Sequence, residues 1–294
     1  YEMKKTPIQA WIEAARPKTL PASLSPVLVG SALAYRDGAF DMVPAVICLM
    51  VALLSQIASN FANDYFDYKK GADKEDRLGP ERAVASGWIA PKTMLIATFI
   101  TLGLACLCGL LLLFYGGWVL LPVGIAIAVC VLAYSAGPFP LAYNGLGDIC
   151  VLLFYGIVPV VFTYFVQAGS ITLLTLILSV AMGLLSVNIL IVNNYRDYFQ
   201  DKEVNKRTTI VLFGRRFGRW FYLFNGVVPI LLVIPLIMQS AAWIVALFGI
   251  FFVMFYQTWR ELCSLEGKAL NVTLAYTGRN VLLFALCLTA LLLF

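Results

Sequence analysis

Long apolar runs separated by short polar stretches make up most of this chain. A helix that spans a lipid bilayer needs about 20 mostly apolar residues, and nine runs of roughly that length can be delimited. They cover residues 20–36, 42–63, 93–114, 117–135, 148–167, 171–193, 220–238, 242–259 and 278–294. The pattern therefore predicts an all-α integral membrane protein, a bundle of about nine transmembrane helices.

The N-terminal stretch has a different pattern, in which apolar and polar residues alternate with a helical period. Within residues 7–16, one helical face carries Ile8, Trp11, Ile12 and Ala15, and polar residues lie elsewhere. This arrangement is typical of an amphipathic helix that lies in the plane of the membrane surface. We expect residues 1–19 to form such a cytoplasmic interfacial segment and residues 20–294 to form a single transmembrane domain.

The composition agrees with a membrane protein and excludes several kinds of catalysis. Hydrophobic residues make up 61% of the chain and charged residues only 13%, against roughly 25% charged residues in an ordinary soluble domain. The chain contains no histidine, which excludes Ser-His-Asp and Cys-His catalysis and histidine-bound metals. A bound metal would need oxygen ligands, and such ligands favour Mg²⁺ or Ca²⁺.

The basic residues are distributed very unequally between the two ends of the predicted spans. Alternating loops place residues 1–19, 64–92, 135–147, 194–219 and 260–279 on one side, with 20 of the 21 Lys and Arg residues. Cytoplasmic loops carry such an excess, so we expect a multi-pass protein of the inner membrane with its N-terminus and these loops in the cytoplasm. The net charge of +5 is explained by topology and does not predict nucleic-acid binding.

A short motif occurs twice, at the predicted cytoplasmic ends of spans two and six. Residues 63–68 and residues 193–198 both read N-x-Y-x-D-Y, with an offset of 130 residues. Internal repeats are common in membrane proteins, where a site often forms between the two halves. The motif predicts pseudo-repeat halves at about 20–135 and 148–259, with a site between them.

Each copy of the motif places a strip of polar side chains near membrane depth. If both copies are helical, one strip contains Asn60, Asn63, Asp64 and Asp67, and the other contains Asn194, Asp197 and Asp201. Polar groups are costly there and mark functional sites by default. Facing carboxylates repel one another unless a cation joins them, and Mg²⁺ takes one or two carboxylates together with phosphate oxygens.

Basic residues follow each acidic strip in the sequence. They are Lys69, Lys70, Lys74, Arg77 and Arg82 after the first strip, and Lys202, Lys206 and Arg207 after the second. Arg and Lys bind phosphate, so acids for Mg²⁺ beside bases for phosphate predict a diphosphate site. At the mouth of a helix bundle the substrate would be a lipid diphosphate, and its allylic carbocation would be stabilised by aromatic side chains. The candidates are Tyr65, Tyr68, Tyr134, Tyr155, Tyr195 and Tyr198.

From about Trp11 to Arg279, the chain resembles the intramembrane aromatic prenyltransferases of the UbiA superfamily. Within it, the sequence is most similar to the branch that prenylates 1,4-dihydroxy-2-naphthoate. The resemblance rests on residues 15–21 (ARPKTLP), 63–82 (NDYFDYKKGADKEDRLGPER), 134–148 (YSAGPFPLAYNGLGD), 193–208 (NNYRDYFQDKEVNKRT) and the late Asn271 and 277–279 (TGR). The general superfamily pattern NDxxDxxxD is altered, because Gly71 replaces its last acid and Asp73 follows two positions later.

The resemblance implies Mg²⁺-dependent transfer of a polyprenyl group from a polyprenyl diphosphate to an aromatic acid, with loss of diphosphate and CO₂, giving demethylmenaquinone. Catalytic aspartates and asparagines would hold two Mg²⁺ ions through the substrate diphosphate: Asn63, Asp64 and Asp67 one ion, and Asn194, Asp197 and Asp201 the other. Diphosphate would be bound by Lys74, Arg77, Arg82, Lys206 and Arg207. The aromatic acid would contact Asn60, Tyr134, Tyr195 and either Arg16 or Lys18. No role is assigned to Asp73, Asp148, Asn193 or Arg196.

Several other functions remain open from the residues alone. The acceptor of the same reaction could be 4-hydroxybenzoate, homogentisate or a porphyrin. A protein of another class, a cation-coupled transporter, would also place a site between repeats. A third alternative is a helix-bundle scaffold for quinone-pathway partners, whose function would not depend on Asp64 or Asp197. Besides its substrates, the chain is expected to contact membrane lipids and no nucleic acid. Prenyl chain length and oligomeric state are not predicted.

Overall fold

The computed structural model describes residues 6–71 and 77–294, and in these ranges every regular element is helical. The helices are α1 Pro7–Ala15, α2 Pro21–Arg36, α3 Met42–Lys69, α4 Pro91–Leu111, α5 Leu113–Gly116, α6 Leu120–Ala133, α7 Gly147–Leu152, α8 Val158–Ala168, α9 Leu173–Arg196, α10 Tyr198–Glu203, α11 Thr209–Ile237, α12 Ala242–Ser264 and α13 Leu270–Leu293. A π-helical segment, Leu153–Ile157, joins α7 to α8.

The predicted architecture of a membrane-spanning helix bundle is confirmed. Among the described residues, seven helical stretches are long and apolar enough to cross a bilayer. They are Met42–Lys69, Pro91–Gly116, Gly147–Ala168, Leu173–Arg196, Thr209–Ile237, Ala242–Ser264 and Gly267–Leu293. Two shorter helices, α2 and α6, occupy the positions of the other two predicted spans. The count of nine is therefore approximate, because seven stretches of the described residues have full spanning length.

Two helices extend well beyond the ends that hydrophobicity predicted. Helix α11 begins at Thr209 rather than residue 220, with Thr208 as its N-cap, and its backbone breaks at Gly214 (φ 86°, ψ 164°). Helix α13 begins at Leu270 rather than residue 278. The additional residues of both helices include charged or polar side chains. A search for apolar runs omits them, although they continue the helix.

Helix α9 forms the centre of the bundle. In its most apolar window 72% of residues are buried, against 17% for the span that contains α4. It packs against α2, α7, α8, α11 and α13, whereas α4 packs mainly on α3 and α6 at the periphery. The second N-x-Y-x-D-Y motif ends this central helix, so the interior of the bundle positions it.

The π-helical segment lies where α9 and the α7–α8 span approach closely. A Cβ atom on Gly156 would lie 2.2 Å from Gly183 Cα, and one on Gly183 would lie 2.7 Å from the Leu152 carbonyl oxygen. Only glycine fits at both positions. Segments of this kind are frequent at functional sites, and here the π-helical turn places Phe154 and Tyr155 on the wall of an internal cavity.

Helix α1 falls within the segment predicted to be amphipathic, but its faces are divided differently. Ala10 and Ala14 are buried, and the Trp11 ring packs edge-on against Phe61 of α3 at 5.4 Å. The two isoleucines expected on the same face, Ile8 and Ile12, remain exposed. The helix therefore docks on α3 through its small residues and tryptophan. Its location at a membrane surface stays a prediction.

Candidate active site

The first motif lies in the last turns of α3, helical as predicted. Asp64 is only 1% exposed, and its two carboxylate oxygens accept hydrogen bonds from the backbone amides of Ala83 and Val84, at 3.1 Å each. Both carboxylate oxygens of this buried side chain are thus satisfied by backbone donors. Asp64 thus anchors the segment that follows residues 72–76 against the helix that carries the motif.

The other residues of the first motif contact the segment between α6 and α7 and Arg82 of the α3–α4 loop. The Tyr143 hydroxyl donates to Asp67 Oδ1 at 2.8 Å, and Arg82 Nη2 lies 3.6 Å from Asp67 Oδ2. Ser135 Oγ donates to Asn63 Oδ1. Tyr143 was not a predicted site residue, although it lies within a stretch that supported the resemblance. Being uncharged, it carries no signal in the pattern of acids and bases.

The second motif does not continue as a helix, contrary to expectation. Helix α9 ends at Arg196, Asp197 adopts a non-helical conformation (φ −90°, ψ 10°), and α10 begins at Tyr198. Asp201 therefore leaves the face that it was expected to share with Asn194 and Asp197. It is buried, and its Oδ1 accepts a hydrogen bond from Lys206 Nζ at 3.2 Å.

The two motifs meet around one cavity of about 510 Å³, which we call the polar chamber. Of the predicted site residues, its wall contains Arg16, Lys18, Asn63, Asp64, Asp67, Arg77, Arg82, Tyr134, Asp148, Asn193, Asn194, Arg196, Asp197 and Lys206. Helices α3 and α9, 130 residues apart in sequence, thus bring their acidic motifs to the same space. Basic side chains from three loops line the same wall.

A second cavity of about 240 Å³, the apolar chamber, lies among the spans and is lined mainly by aliphatic and aromatic side chains. Seven residues line both cavities: Arg16, Thr19, Asn63, Tyr134, Ile189, Leu190 and Asn193. We call this shared ring the waist. A molecule with a charged head and an apolar body could place its head in the polar chamber and its body in the apolar chamber, with the waist between them.

Burial and charge together favour an anionic ligand in the polar chamber. Burial lowers the pKa of Arg16, which Asp64 and Asp67 partly oppose. Burial also lowers the pKa of Arg77, and the neighbouring Arg16 lowers it further. Cations that have lost water and face other cations are stabilised by an added anion, since the low local dielectric strengthens the attraction.

The environment of Lys206 indicates that carboxylates of both motifs converge. Burial lowers the pKa of Lys206, but Asp201, Asp67 and Asp197 raise it more, so that it lies above its ordinary value. Burial raises the pKa of Asp201, opposed by Lys206. Asp201 thus supports a lysine of the chamber wall rather than forming the wall itself.

Several predicted residues lie elsewhere. Tyr195 lines neither cavity, because its side of α9 faces α11, where Arg219 Nε donates to its hydroxyl at 2.8 Å and Arg215 lies over its ring. Asn60 lines the apolar chamber and donates to the Ala15 carbonyl. Arg207 is exposed and absent from the wall of the polar chamber. Lys74 and Asp73 lie outside the described residues.

Comparisons with known proteins assign the chain to a family. The model of the UbiA prenyltransferase family matches residues 23–274. The 1,4-dihydroxy-2-naphthoate octaprenyltransferase of Escherichia coli is 40% identical, covering 73% of this chain and 71% of the relative. The protein of the same description from Mycobacterium tuberculosis is 35% identical, covering 79% and 78%. UbiA prenyltransferase domain-containing protein 1 of Danio rerio is 32% identical, covering 76% and 67%.

Solved structures agree in fold. A UbiA homolog from Archaeoglobus fulgidus bound to DMAPP and Mg²⁺ superposes with a TM-score of 0.68 at 16% identity, covering 96% of this chain and 98% of that one. The apo UbiA homolog from Aeropyrum pernix gives 0.70 at 15% identity, covering 92% and 97%. The fold is thus that of an intramembrane prenyltransferase. The chain belongs to the UbiA prenyltransferase family, and it is an enzyme that transfers prenyl groups.

Proposed function

We propose that this enzyme transfers a polyprenyl group from a polyprenyl diphosphate to 1,4-dihydroxy-2-naphthoate, releasing diphosphate and CO₂. One observation carries the proposal: a polar chamber with two acidic motifs and several basic residues joins an apolar chamber at a shared waist. The arrangement matches a substrate with a diphosphate head and a hydrocarbon body. The acceptor is proposed from the relatives, among which five named for naphthoate prenylation are 30–40% identical.

The residues at the chamber fit Mg²⁺. Asp67 and Asp197 are partly accessible, and both interact electrostatically with Lys206. Asn63 and Asn194 line the same chamber. Carboxylate and amide oxygens of this kind suit Mg²⁺, which usually completes its shell with water and substrate phosphate. We propose one ion at each motif, held jointly with the diphosphate. When bound, the ions would supply positive charge that stabilises the departing diphosphate.

The chain's own residues would divide the remaining tasks. Arg77, Arg82 and Lys206 would bind diphosphate oxygens, since all three line the polar chamber. Arg16 would bind the acceptor carboxylate at the waist, where the charged and apolar ends of the reactants meet. Asp64 would hold the 83–84 backbone in place, as its two hydrogen bonds indicate.

In the proposed reaction two bonds break and one carbon–carbon bond forms. The C–O bond between the allylic carbon and diphosphate breaks, and the ring carbon that carries the carboxylate attacks the allylic carbon. The electron pair of the ring–carboxylate bond returns to the ring as CO₂ leaves. The product is demethylmenaquinone in its reduced form. Exclusion of water from the chamber would favour this outcome, because water would compete for the carbocation.

A two-acceptor assay tests the proposal. Purified protein in detergent is incubated with a polyprenyl diphosphate, Mg²⁺ and either 1,4-dihydroxy-2-naphthoate or 4-hydroxybenzoate, with EDTA controls. We expect a decarboxylated prenyl naphthalenediol or its quinone by mass spectrometry, formed only with Mg²⁺ and only from the naphthoate. Product from 4-hydroxybenzoate alone would refute the proposed acceptor while keeping the reaction class.

We also propose an orientation, with the motif-bearing end of the bundle in the cytoplasm and the protein in the inner membrane. The distribution of Lys and Arg supports it, since Arg36 is the one basic residue assigned to the opposite side. Both substrates would then reach the polar chamber from the cytoplasmic side, and residues 20–294 would act as a single transmembrane unit.

A further inference from the structure

Arg196 is buried at the edge of the polar chamber and holds the carboxylate of Asp197 in a fixed plane. Its Nε donates to Asp197 Oδ1 and its Nη2 to Asp197 Oδ2, both at 2.7 Å. Adjacent residues can pair in this way because the helix ends at Arg196 and the backbone turns at Asp197. A bidentate pair of this type fixes orientation as well as charge. Arg196 therefore determines which way the Asp197 carboxylate faces.

A third bond extends from Arg196 to another helix. Its Nη1 donates to Asn271 Oδ1 at 2.7 Å, and Asn271 Nδ2 donates to the Leu78 carbonyl oxygen at 2.9 Å. Asn271 lies in the first turn of α13. Its amide thus uses its acceptor for the arginine and its donor for the backbone of the loop that carries Arg77 and Arg82.

The backbone of that loop lies directly against the guanidinium group. A Cβ atom on Gly79 would lie 2.7 Å from Arg196 Nη2 and 3.1 Å from Cζ. At its other end the loop is fastened to the first motif by Asp64, through the amides of Ala83 and Val84. A continuous series of contacts therefore runs from Asp64 through the loop and Asn271 to Arg196 and Asp197, and it joins the two acidic motifs.

We propose that Arg196 and Asn271 are positioning residues, which orient the Asp197 carboxylate and couple it to the loop bearing the diphosphate-binding arginines. The inference rests on the proposed function, since it assumes that Asp197 faces Mg²⁺ and that Arg77 and Arg82 face diphosphate. Through this coupling, the orientation of the Asp197 carboxylate and the positions of Arg77 and Arg82 depend on each other. Mutation of a residue that orients a metal ligand typically costs about ten- to hundredfold in metal affinity or activity.

Variants of Asn271 and Gly79 test the coupling through kinetics. For Asn271→Ala and Gly79→Ala we expect the KM for prenyl diphosphate and the Mg²⁺ concentration for half activity to rise about ten- to hundredfold. The KM for the aromatic acceptor should stay within about twofold. Asn271→Asp keeps an acceptor for Arg196 and removes the donor to Leu78, so it should raise the KM for prenyl diphosphate more than the Mg²⁺ requirement. Lys268→Ala, an exposed neighbour of α13, and Gly103→Ala, with open space around it, are matched controls.

Measurements that do not depend on catalysis distinguish a positioning role for Arg196 and Asn271 from a purely structural role. We expect backbone amides of residues 77–84 to exchange hydrogen faster in Asn271→Asp and Gly79→Ala than in the wild type, with unchanged exchange in α4. The increase in melting temperature on adding Mg²⁺ and a non-hydrolysable prenyl thiodiphosphate should shrink in the same variants. If a variant does not fold, Arg196→Lys, which keeps the charge and loses the bidentate pair, provides the same comparison.

Two outcomes would overturn the inference. One is a fall in kcat with unchanged KM values and unchanged Mg²⁺ dependence. The other is unchanged hydrogen exchange in residues 77–84. Failure of the wild type itself to be stabilised by Mg²⁺ and the thiodiphosphate would instead count against the proposed function. The two failures are therefore distinguishable.

Discussion

At the scale of single residues, Arg16 combines an uncommon backbone conformation with a position at both chambers. It ends α1 in a left-handed conformation (φ 53°, ψ 66°), rare for a residue other than glycine, and it lines both chambers. Lys18, the alternative cation for the acceptor, lines only the polar chamber and is exposed. These positions favour Arg16 as the group that meets a carboxylate at the waist.

We therefore predict that Arg16→Gln raises the KM for the aromatic acid far more than Lys18→Gln does. A hydrogen bond to a charged group contributes about 1.5–3 kcal/mol, which corresponds to roughly a ten- to hundredfold change in KM. Steady-state kinetics with each substrate varied in turn measures the effect. An increase confined to the KM for prenyl diphosphate would contradict the assignment and place Arg16 at the diphosphate.

At the scale of elements, the contact between α9 and the π-helical segment supports the wall of the apolar chamber. Gly183 approaches the Leu152 carbonyl and Gly156 so closely that an added methyl group would lie 2.7 Å from the carbonyl oxygen. We predict that Gly183→Ala destabilises the protein by about 1–3 kcal/mol, the usual cost of overpacking. Gly103→Ala, at an unobstructed position on α4, should change stability far less. Thermal unfolding in detergent compares the two, and equal effects would contradict the tight contact.

The helices that carry the two motifs show which parts of the site could be predicted from the sequence. The first motif is helical, as its spacing of three and four residues indicates. The second copy has the same pattern but breaks at Asp197, because Arg196 turns to Asp197 and to Asn271, 75 residues away. No local pattern contains that tertiary contact. The predicted position of Asp201 was wrong for this reason. Tyr195 was predicted to line the site, but periodicity does not tell which neighbouring helix a helical face contacts.

At the scale of the whole molecule, hydrophobicity predicted the spans well and their ends poorly. Apolar runs identify the spanning part of a helix, but α11 and α13 continue through charged or polar turns at the motif-bearing end. The charge asymmetry predicts that this end is cytoplasmic. We expect a single cysteine at Asn205, introduced in a cysteine-free background, to react with an impermeant reagent only in inside-out vesicles, and one at Gly38 only in right-side-out vesicles. The reverse pattern would contradict the orientation.

The central claim is that both acidic motifs act on one diphosphate with Mg²⁺. The most direct test measures diphosphate release and prenylated product in a single turnover for the wild type, Asp67→Asn and Asp197→Asn, with Mg²⁺ or with EDTA. We predict that each substitution, like EDTA, lowers both yields in parallel by at least about a hundredfold, because removing one oriented carboxylate disrupts charge stabilisation of the leaving group. Full turnover by either variant, or by the wild type in EDTA, would contradict a shared Mg²⁺–diphosphate site.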